Sequence, residues 1–276
     1  MRLLEDFSLS SPRNLLGLDG DEFVRGDVRD REAVDRAVAD VDAVVHLAAI
    51  TGAGTSHEIA EEVFDVNLVG TETLLEAAVD AGVERLVLAS SCNVYGDSYA
   101  EDLTETSPAA PANPYAESKL AAEAACAEAP LETVSLRLAT NFGYSPGVRF
   151  NLVVNSFVFR ALVGEPLSVY GDGENWRPFL HVEDTARAFV RALDWEPGRY
   201  NVGWNNVRIE DVARAVERVA ARPVERDYLR ERDPGPSYHV DFSKARAQGF
   251  EPTCSLTDGI ADLLGRFAEP TSTIHQ

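Results

Sequence analysis

Arg85-Leu86-Val87-Leu88-Ala89-Ser90-Ser91-Cys92-Asn93-Val94-Tyr95-Gly96, with Asn113-Pro114-Tyr115-Ala116-Glu117-Ser118-Lys119 after it, decides the fold. The first part is a short apolar run of strand type that ends in hydroxyls and then turns. In an open α/β sheet, ligands bind beyond the carboxyl ends of the strands, which places Ser90 and Ser91 at a binding edge. As plain caps of the next segment, the same serines would need no ligand. Pro114 suits the first turn of a helix, and Tyr115 and Lys119, four apart, project from one face of it. A phenol of ordinary pKa about 10 is a poor base at neutral pH, but a neighbouring ammonium favours the phenolate. The pair is a candidate proton-transfer device, the alternative being an exposed helix pair.

Composition sharpens that choice. Of 25 basic residues, only Lys119 and Lys244 are lysine and 23 are arginine. A lysine in such a chain points to a place where a compact ammonium is needed and a planar guanidinium fails.

Outward from this stretch, short apolar runs alternate with helical patterns, which predicts an α/β fold with a doubly wound parallel sheet. The expected strands are Arg2–Glu5, Glu22–Arg25, Ala43–Leu47, Arg85–Ser90 and Thr133–Leu138, and the expected helices Arg31–Ala39, His57–Ala81 and Pro114–Ala129. After about Gly143 the alternation breaks into Pro- and Gly-punctuated pieces, with helices near Glu183–Leu193, Ile209–Ala220 and Leu256–Phe267. The reading is a nucleotide-binding part over 1–143, a smaller α+β lobe over 144–268 with some segments returning to the sheet, and a frayed tail over 269–276.

The charge balance excludes partners. With 46 acids against 25 bases, a net −21 repels the phosphate backbone of a nucleic acid. No run reaches the roughly 18 apolar residues of a membrane helix, and no leader opens the chain, so a soluble cytoplasmic protein is expected. Cys92, Cys126 and Cys254 have neither metal-ligand nor disulfide-framework spacing, so no metal is expected. Dense acid with almost no lysine resembles the cytosolic proteins of extreme halophiles, where ~1 M salt shortens the screening length to about 3 Å.

Taken in order, the motifs resemble the extended short-chain dehydrogenase/reductase superfamily, in its NAD-dependent nucleotide-sugar epimerase/dehydratase branch. The resemblance rests on Glu5-Asp6-Phe7-Ser8, Gly26-Asp27-Val28-Arg29-Asp30, His46-Leu47-Ala48-Ala49, Asn67-Leu68-Val69-Gly70-Thr71, Ser91 with Tyr115 and Lys119, and Trp176-Arg177-Pro178-Phe179-Leu180-His181-Val182-Glu183-Asp184. Tyr200-Asn201-Val202-Gly203, Arg230 with Asp233, and Asp241-Phe242-Ser243-Lys244-Ala245 complete it. It implies a Rossmann-type sheet and a catalytic Ser91, Tyr115 and Lys119. It further implies an NAD site of Asp6, Asp27, Val28, Leu47, Ala48, Ala49, Tyr115 and Lys119, and a nucleotide-diphosphate-sugar site of Ser91, Thr140, Arg177, Arg230 and Asp233. Asp6 accepting both ribose hydroxyls disfavours a 2′-phosphate and points to NAD over NADP. Lys119 would hold the nicotinamide ribose and, with the positive nicotinamide, lower the Tyr115 phenol, and Lys244 would have a structural role.

Three departures stand beside the resemblance. The family opens with a strand, a Gly-x-x-Gly-x-x-Gly turn and a helix, whose backbone N–H groups bind the pyrophosphate. Met1 falls at the second strand, so the expectation is a sheet without its first strand and helix, through a misassigned start, a truncation or a real loss, and weak NAD binding. Cys92 and Asn93 stand where 4,6-dehydratases of the family carry an Asp-Glu pair, which disfavours dehydration. Thr140 replaces the usual asparagine at a substrate-phosphate contact. The expected activity is therefore 4-epimerisation through hydride transfer and a 4-keto intermediate, in a homodimer. The rivals are a cofactor-free homologue that binds a nucleotide or partner, and a reductase or decarboxylase of the same superfamily.

Overall fold

The computed structural model describes residues 1–15, 22–52, 56–96 and 102–268. The expected frayed tail over 269–276 lies outside them.

Strand β4 (Arg85–Ser91) is the spine of the molecule. Its alternating side chains are covered on both faces, as an interior parallel strand requires. Leu86 and Leu88 enter one core with residues of α1 (Arg31–Val38), α3 (Gly70–Ala81) and α4 (Pro114–Glu128), while Val87 enters the other with residues of β5 (Glu132–Leu138), α6 (Val182–Ala192) and β9 (Gly198–Val202). The parallel sheet runs β3-β4-β5-β9, where β3 is Ala43–His46. Thus a strand from beyond residue 144 returns to the first half's sheet.

Local chemistry sets the helix starts. Asp30 Oδ1 accepts from the N–H groups of Glu32 and Ala33 to cap α1, and Asn113 Oδ1 accepts from Ala116 N at 3.0 Å to cap α4, with Pro114 in its first turn. The helix expected over His57–Ala81 starts at α2 (Ala60–Phe64), then widens into a π turn over Asp65–Val69 before α3. Within that turn Asn67 is drawn inward: Ile50 N donates to its Oδ1 at 2.7 Å and its Nδ2 donates to Ile50 O at 3.0 Å.

The sheet is in two pieces. Among the described residues, strands β1 (Arg2–Glu5) and β2 (Glu22–Arg25) pair in parallel only with each other, and α1 packs on both and on α3. β3 is therefore an edge, with Val45 38% and Leu47 58% exposed.

The second lobe is built on α5 (Val153–Val163), a helix with no counterpart among the sequence expectations, together with β7 (Leu167–Tyr170), α7 (Ile209–Val219) and α9 (Leu256–Ala268). Strands β6 (Thr140–Phe142), β8 (Trp176–His181) and β10 (Asn205–Arg208) form one small sheet, and β7 pairs in parallel with β11 (Arg226–Leu229).

Candidate active site

Ser91 ends β4, and α4 brings Tyr115 and Lys119 to it. The serine does cap the turn Cys92–Tyr95, its Oγ accepting from Asn93 N at 3.2 Å. Its hydroxyl also acts on the Tyr115 phenol, lowering its pKa, so one hydroxyl serves both readings. Burial pushes the phenol above its ordinary pKa, while Ser91 and the nearby charge of Arg149 pull it back and the Cys92 thiol adds to the rise. The net direction is upward, and the cation acting on the phenol is Arg149.

Lys119 acts on His46 at the end of β3. It is 3% exposed, and burial pulls its ammonium down to about 8, with only Cys126 opposing. No carboxylate among the described residues pairs with it. Its charge, after burial itself, helps to drive the buried His46 down to about 3, so that imidazole is neutral and shares a 3.0 Å hydrogen bond with Thr71 Oγ1. Ser118 Oγ, donating to Tyr115 O at 2.9 Å, accepts from Asn67 Nδ2 at 3.0 Å and ties α4 to the π turn.

The residues expected at the NAD site stand at the carboxyl ends of β1, β2 and β3. Asp6 is half-buried, its Oδ1 accepting from Ser8 N at 2.8 Å. Asp27 is engaged by Arg29, whose hydrogen bond holds its carboxyl below the usual range. The Val28 side chain is committed to packing: a Cβ at Gly70 would fall 2.4 Å from Val28 Cγ1, so only glycine lets α3 approach. Leu47 and Ala48 are exposed and Ala49 half-buried. An uncompensated buried ammonium beside an exposed apolar edge fits the nicotinamide-ribose end of NAD.

The residues expected at the substrate site assemble in the second lobe. Arg177 Nη2 donates to Pro234 O at 3.3 Å, and its guanidinium lies 5.7 Å from the Tyr238 ring centre. Gly235, with φ of 71°, would place a Cβ 2.7 Å from that Nη2, so the backbone closes tightly over the arginine. Arg230 and Asp233 sit exposed on the same segment, where Asp233 Oδ1 accepts from Gly235 N at 2.8 Å. Tyr238 is buried, and its phenol is raised by burial and by the Cys92 thiol and lowered by Arg177. Thr140 opens β6 opposite Phe179 of β8. Lys244 donates to Arg199 O at 2.6 Å and lies 4.3 Å over the Tyr200 ring.

Two groups escaped sequence reasoning. Arg149, from the segment after β6, reaches across to donate to Thr51 Oγ1 at 2.6 Å, and no local spacing announces it. Asn67 was legible only as part of a family motif. Next to Ser91, the Cys92 thiol is buried, pushed well above its usual pKa, and donates to Arg137 O at 3.2 Å. Among the described residues no group of His, Cys, Asp and Glu could hold a metal, and no helix is long and apolar enough to cross a membrane.

Comparison with known proteins shows the family and the fold. The low-salt glycan biosynthesis protein Agl12 of Haloferax volcanii is 36% identical over 248 residues, covering 86% of this chain and 79% of its own. The Thermus thermophilus UDP-glucose 4-epimerase solved with NAD superposes with a TM-score of 0.83 at 32% identity, covering 96% of this chain and 90% of the other. DesIV, a dTDP-glucose 4,6-dehydratase from Streptomyces venezuelae solved as a double mutant with NAD, gives 0.85 at 28% identity over 97% and 87%. The sequence profile of the NAD-dependent epimerase/dehydratase family matches residues 5–203, and the chain belongs to that family of nucleotide-sugar enzymes.

Proposed function

We propose that the chain is a nucleotide-sugar 4-epimerase. Bound NAD would supply the hydride chemistry at C4 of the sugar, removal and return to the opposite face. Ser91 hydrogen-bonds the C4 oxygen, and Tyr115 takes its proton and later gives it back. Burial keeps the resting phenol protonated, so Ser91 and Arg149 supply the stabilisation that makes a transient phenolate accessible. Lys119 holds the nicotinamide ribose, Asp6 the adenosine ribose, and Asp27, backbone Val28 and Leu47–Ala49 line the adenine and nicotinamide paths. Arg177 and Arg230 neutralise the diphosphate, with Asp233 shaping their loop and Thr140 donating to the substrate. Residues 1–143 form the dinucleotide-binding part and most of 144–268 the substrate lobe.

The observation that carries epimerase over dehydratase is the Tyr115–Ser91 pair standing beside a Cys92 thiol that burial keeps protonated and an Asn93 amide that cannot exchange a proton. Incubating the chain with NAD and UDP- or dTDP-hexoses in molar salt tests it. C4-inverted sugar, abolished by Tyr115→Phe, is the expected product, and accumulation of a 4-keto-6-deoxy sugar rejects the reading.

The acidic surface suits a salt-rich cytoplasm. A homodimer through the helical segments over 57–81 and 114–129 is part of the proposal, because Val69 of the π turn and Val79 of α3 stand exposed along the first of them. Sedimentation in molar salt should show a dimer, and a monomer would remove that element.

A further inference from the structure

The face of α4 that carries Tyr115 and Lys119 continues to Glu123, at i, i+4 and i+8. Glu123 is 2% exposed and its partner Arg137, on β5, 1%. Glu123 Oε1 accepts from Ser90 Oγ at 2.5 Å and from Arg137 Nε at 2.9 Å, while Oε2 accepts from Arg137 Nη2 at 2.7 Å. Arg137 lies beside Ser90 in the sheet register. Its remaining nitrogen Nη1 donates to Tyr95 OH at 3.0 Å, and that phenol donates to Asn201 Oδ1 at 2.6 Å. Asn201 Nδ2 then donates to the carbonyls of Leu103 and Asp241, each at 3.1 Å. Five buried side chains thus form one connected chain through α4, β4, β5, the turn after Ser91, and β9.

Stability alone is a poor reason for this arrangement. Moving an ion pair into the core costs about as much as the attraction returns, and apolar residues of similar volume often serve as well or better. A fully bonded network does something apolar packing does not: it admits one geometry. Burial is the largest single influence on the Arg137 guanidinium and would pull it down, but the hydrogen bonds and charge of Glu123, together with Tyr95, outweigh it in sum, so the charge and its directed bonds persist. Those bonds end on the two elements that carry the catalytic pair. Ser90 immediately precedes Ser91, and Tyr95 closes the turn that Ser91 caps.

We propose that Glu123, clamped by Ser90 and Arg137, is a positioning residue that sets the Tyr115 end of α4 against Ser91, and that Tyr95 and Asn201 fix the turn on the other side of that contact. About 12 Å of helix separates Glu123 from Tyr115, so a small tilt at the clamp becomes a misplacement at the phenol. The inference rests on the reading of Tyr115 as the proton-transferring group.

Three mild variants test it in the full chain with NAD and the nucleotide sugar it turns over. Ser90→Ala removes the β4 link and keeps the ion pair, Tyr95→Phe removes the link to the turn, and Ser90→Thr restores a hydroxyl. The first two should lower kcat about tenfold or more, since displacement on the order of 1 Å can cost about a hundredfold, while KM stays within about twofold. The limb of the kcat pH profile that reports Tyr115 should shift, and Ser90→Thr should recover both kcat and that limb. Glu123→Gln, if it folds, should show the largest loss. A lower Tm with kcat, KM and pH profile unchanged in Ser90→Ala and Tyr95→Phe would overturn the proposal and leave a structural network. A Tyr115→Phe control separates the two failures: inactive Tyr115→Phe beside indifferent Ser90→Ala rejects the clamp alone. Fully active Tyr115→Phe rejects the catalytic reading and the clamp with it.

Discussion

At the carboxyl end of β4, Ser91, Glu123 and Arg137 are hydrogen-bonded within the fold, and they and Lys119 are buried beside the half-buried Tyr115. One strand away, at the end of β3, Val45 and Leu47 stand exposed on an edge that pairs with nothing among the described residues. The two regions belong to the same sheet, yet one is closed by its own side chains and the other presents apolar surface. The contrast separates two tasks. Proton transfer needs groups fixed before the substrate arrives, whereas a surface that receives a dinucleotide is completed by what it receives.

The largest expected effect falls on the closed region. Tyr115→Phe should cost about 10²- to 10⁴-fold in turnover while NAD affinity is kept, because general acid–base catalysis contributes on that scale. Lys119→Arg should also lose most turnover despite its conserved charge, since a broad guanidinium cannot occupy a buried ammonium's place. Steady-state kinetics and calorimetry on both variants provide the check, and near-native turnover by Lys119→Arg would make that lysine an ordinary helix residue.

A second contrast tests the two strands as packing sites. Leu88→Ala, at a fully buried position of β4, should destabilise by about 2–5 kcal/mol. Leu47→Ala, 58% exposed, should stay within about 0.5 kcal/mol in urea titrations, and should weaken NAD binding instead. Equal losses at both positions would mean that the β3 edge is covered in solution.

A further effect is a pH dependence. Burial lowers Lys119 from 10.5 to about 8, so between those values the unfolded chain binds the extra proton and stability rises with pH. Below about pH 8 the burial cost is present in full. Relative to Lys119→Met, wild type should therefore gain on the order of 3 kcal/mol between pH 7.5 and 10.5. Denaturant unfolding of the pair across that range measures it, and parallel curves would place a counter-charge beside Lys119.

How much of this was legible in the sequence follows from distance along the chain. Tyr115 and Lys119 share a face through a local repeat, and Ser91 ends an apolar run, so both were readable from spacing. Glu123 and Arg137 meet only because α4 packs on the sheet, and Arg149 because the second lobe folds over Thr51. Neither contact leaves a periodic trace. α5 was missed because it is apolar on several sides, which blurs a helical stripe, in a stretch punctuated by Pro and Gly. The π turn at Asn67 was hidden inside an unbroken helical pattern, since its cause is a contact with the distant Ile50 backbone.

The central claim is that the Tyr115–Ser91 wall serves hydride removal and return at a single sugar carbon. The direct test is to supply the chain and NAD with a nucleotide hexose deuterated at C4, in ordinary water, and follow the label by NMR. The account predicts the C4-inverted sugar with deuterium still at C4. A 4-keto-6-deoxy product with the deuterium moved to C6 would contradict it.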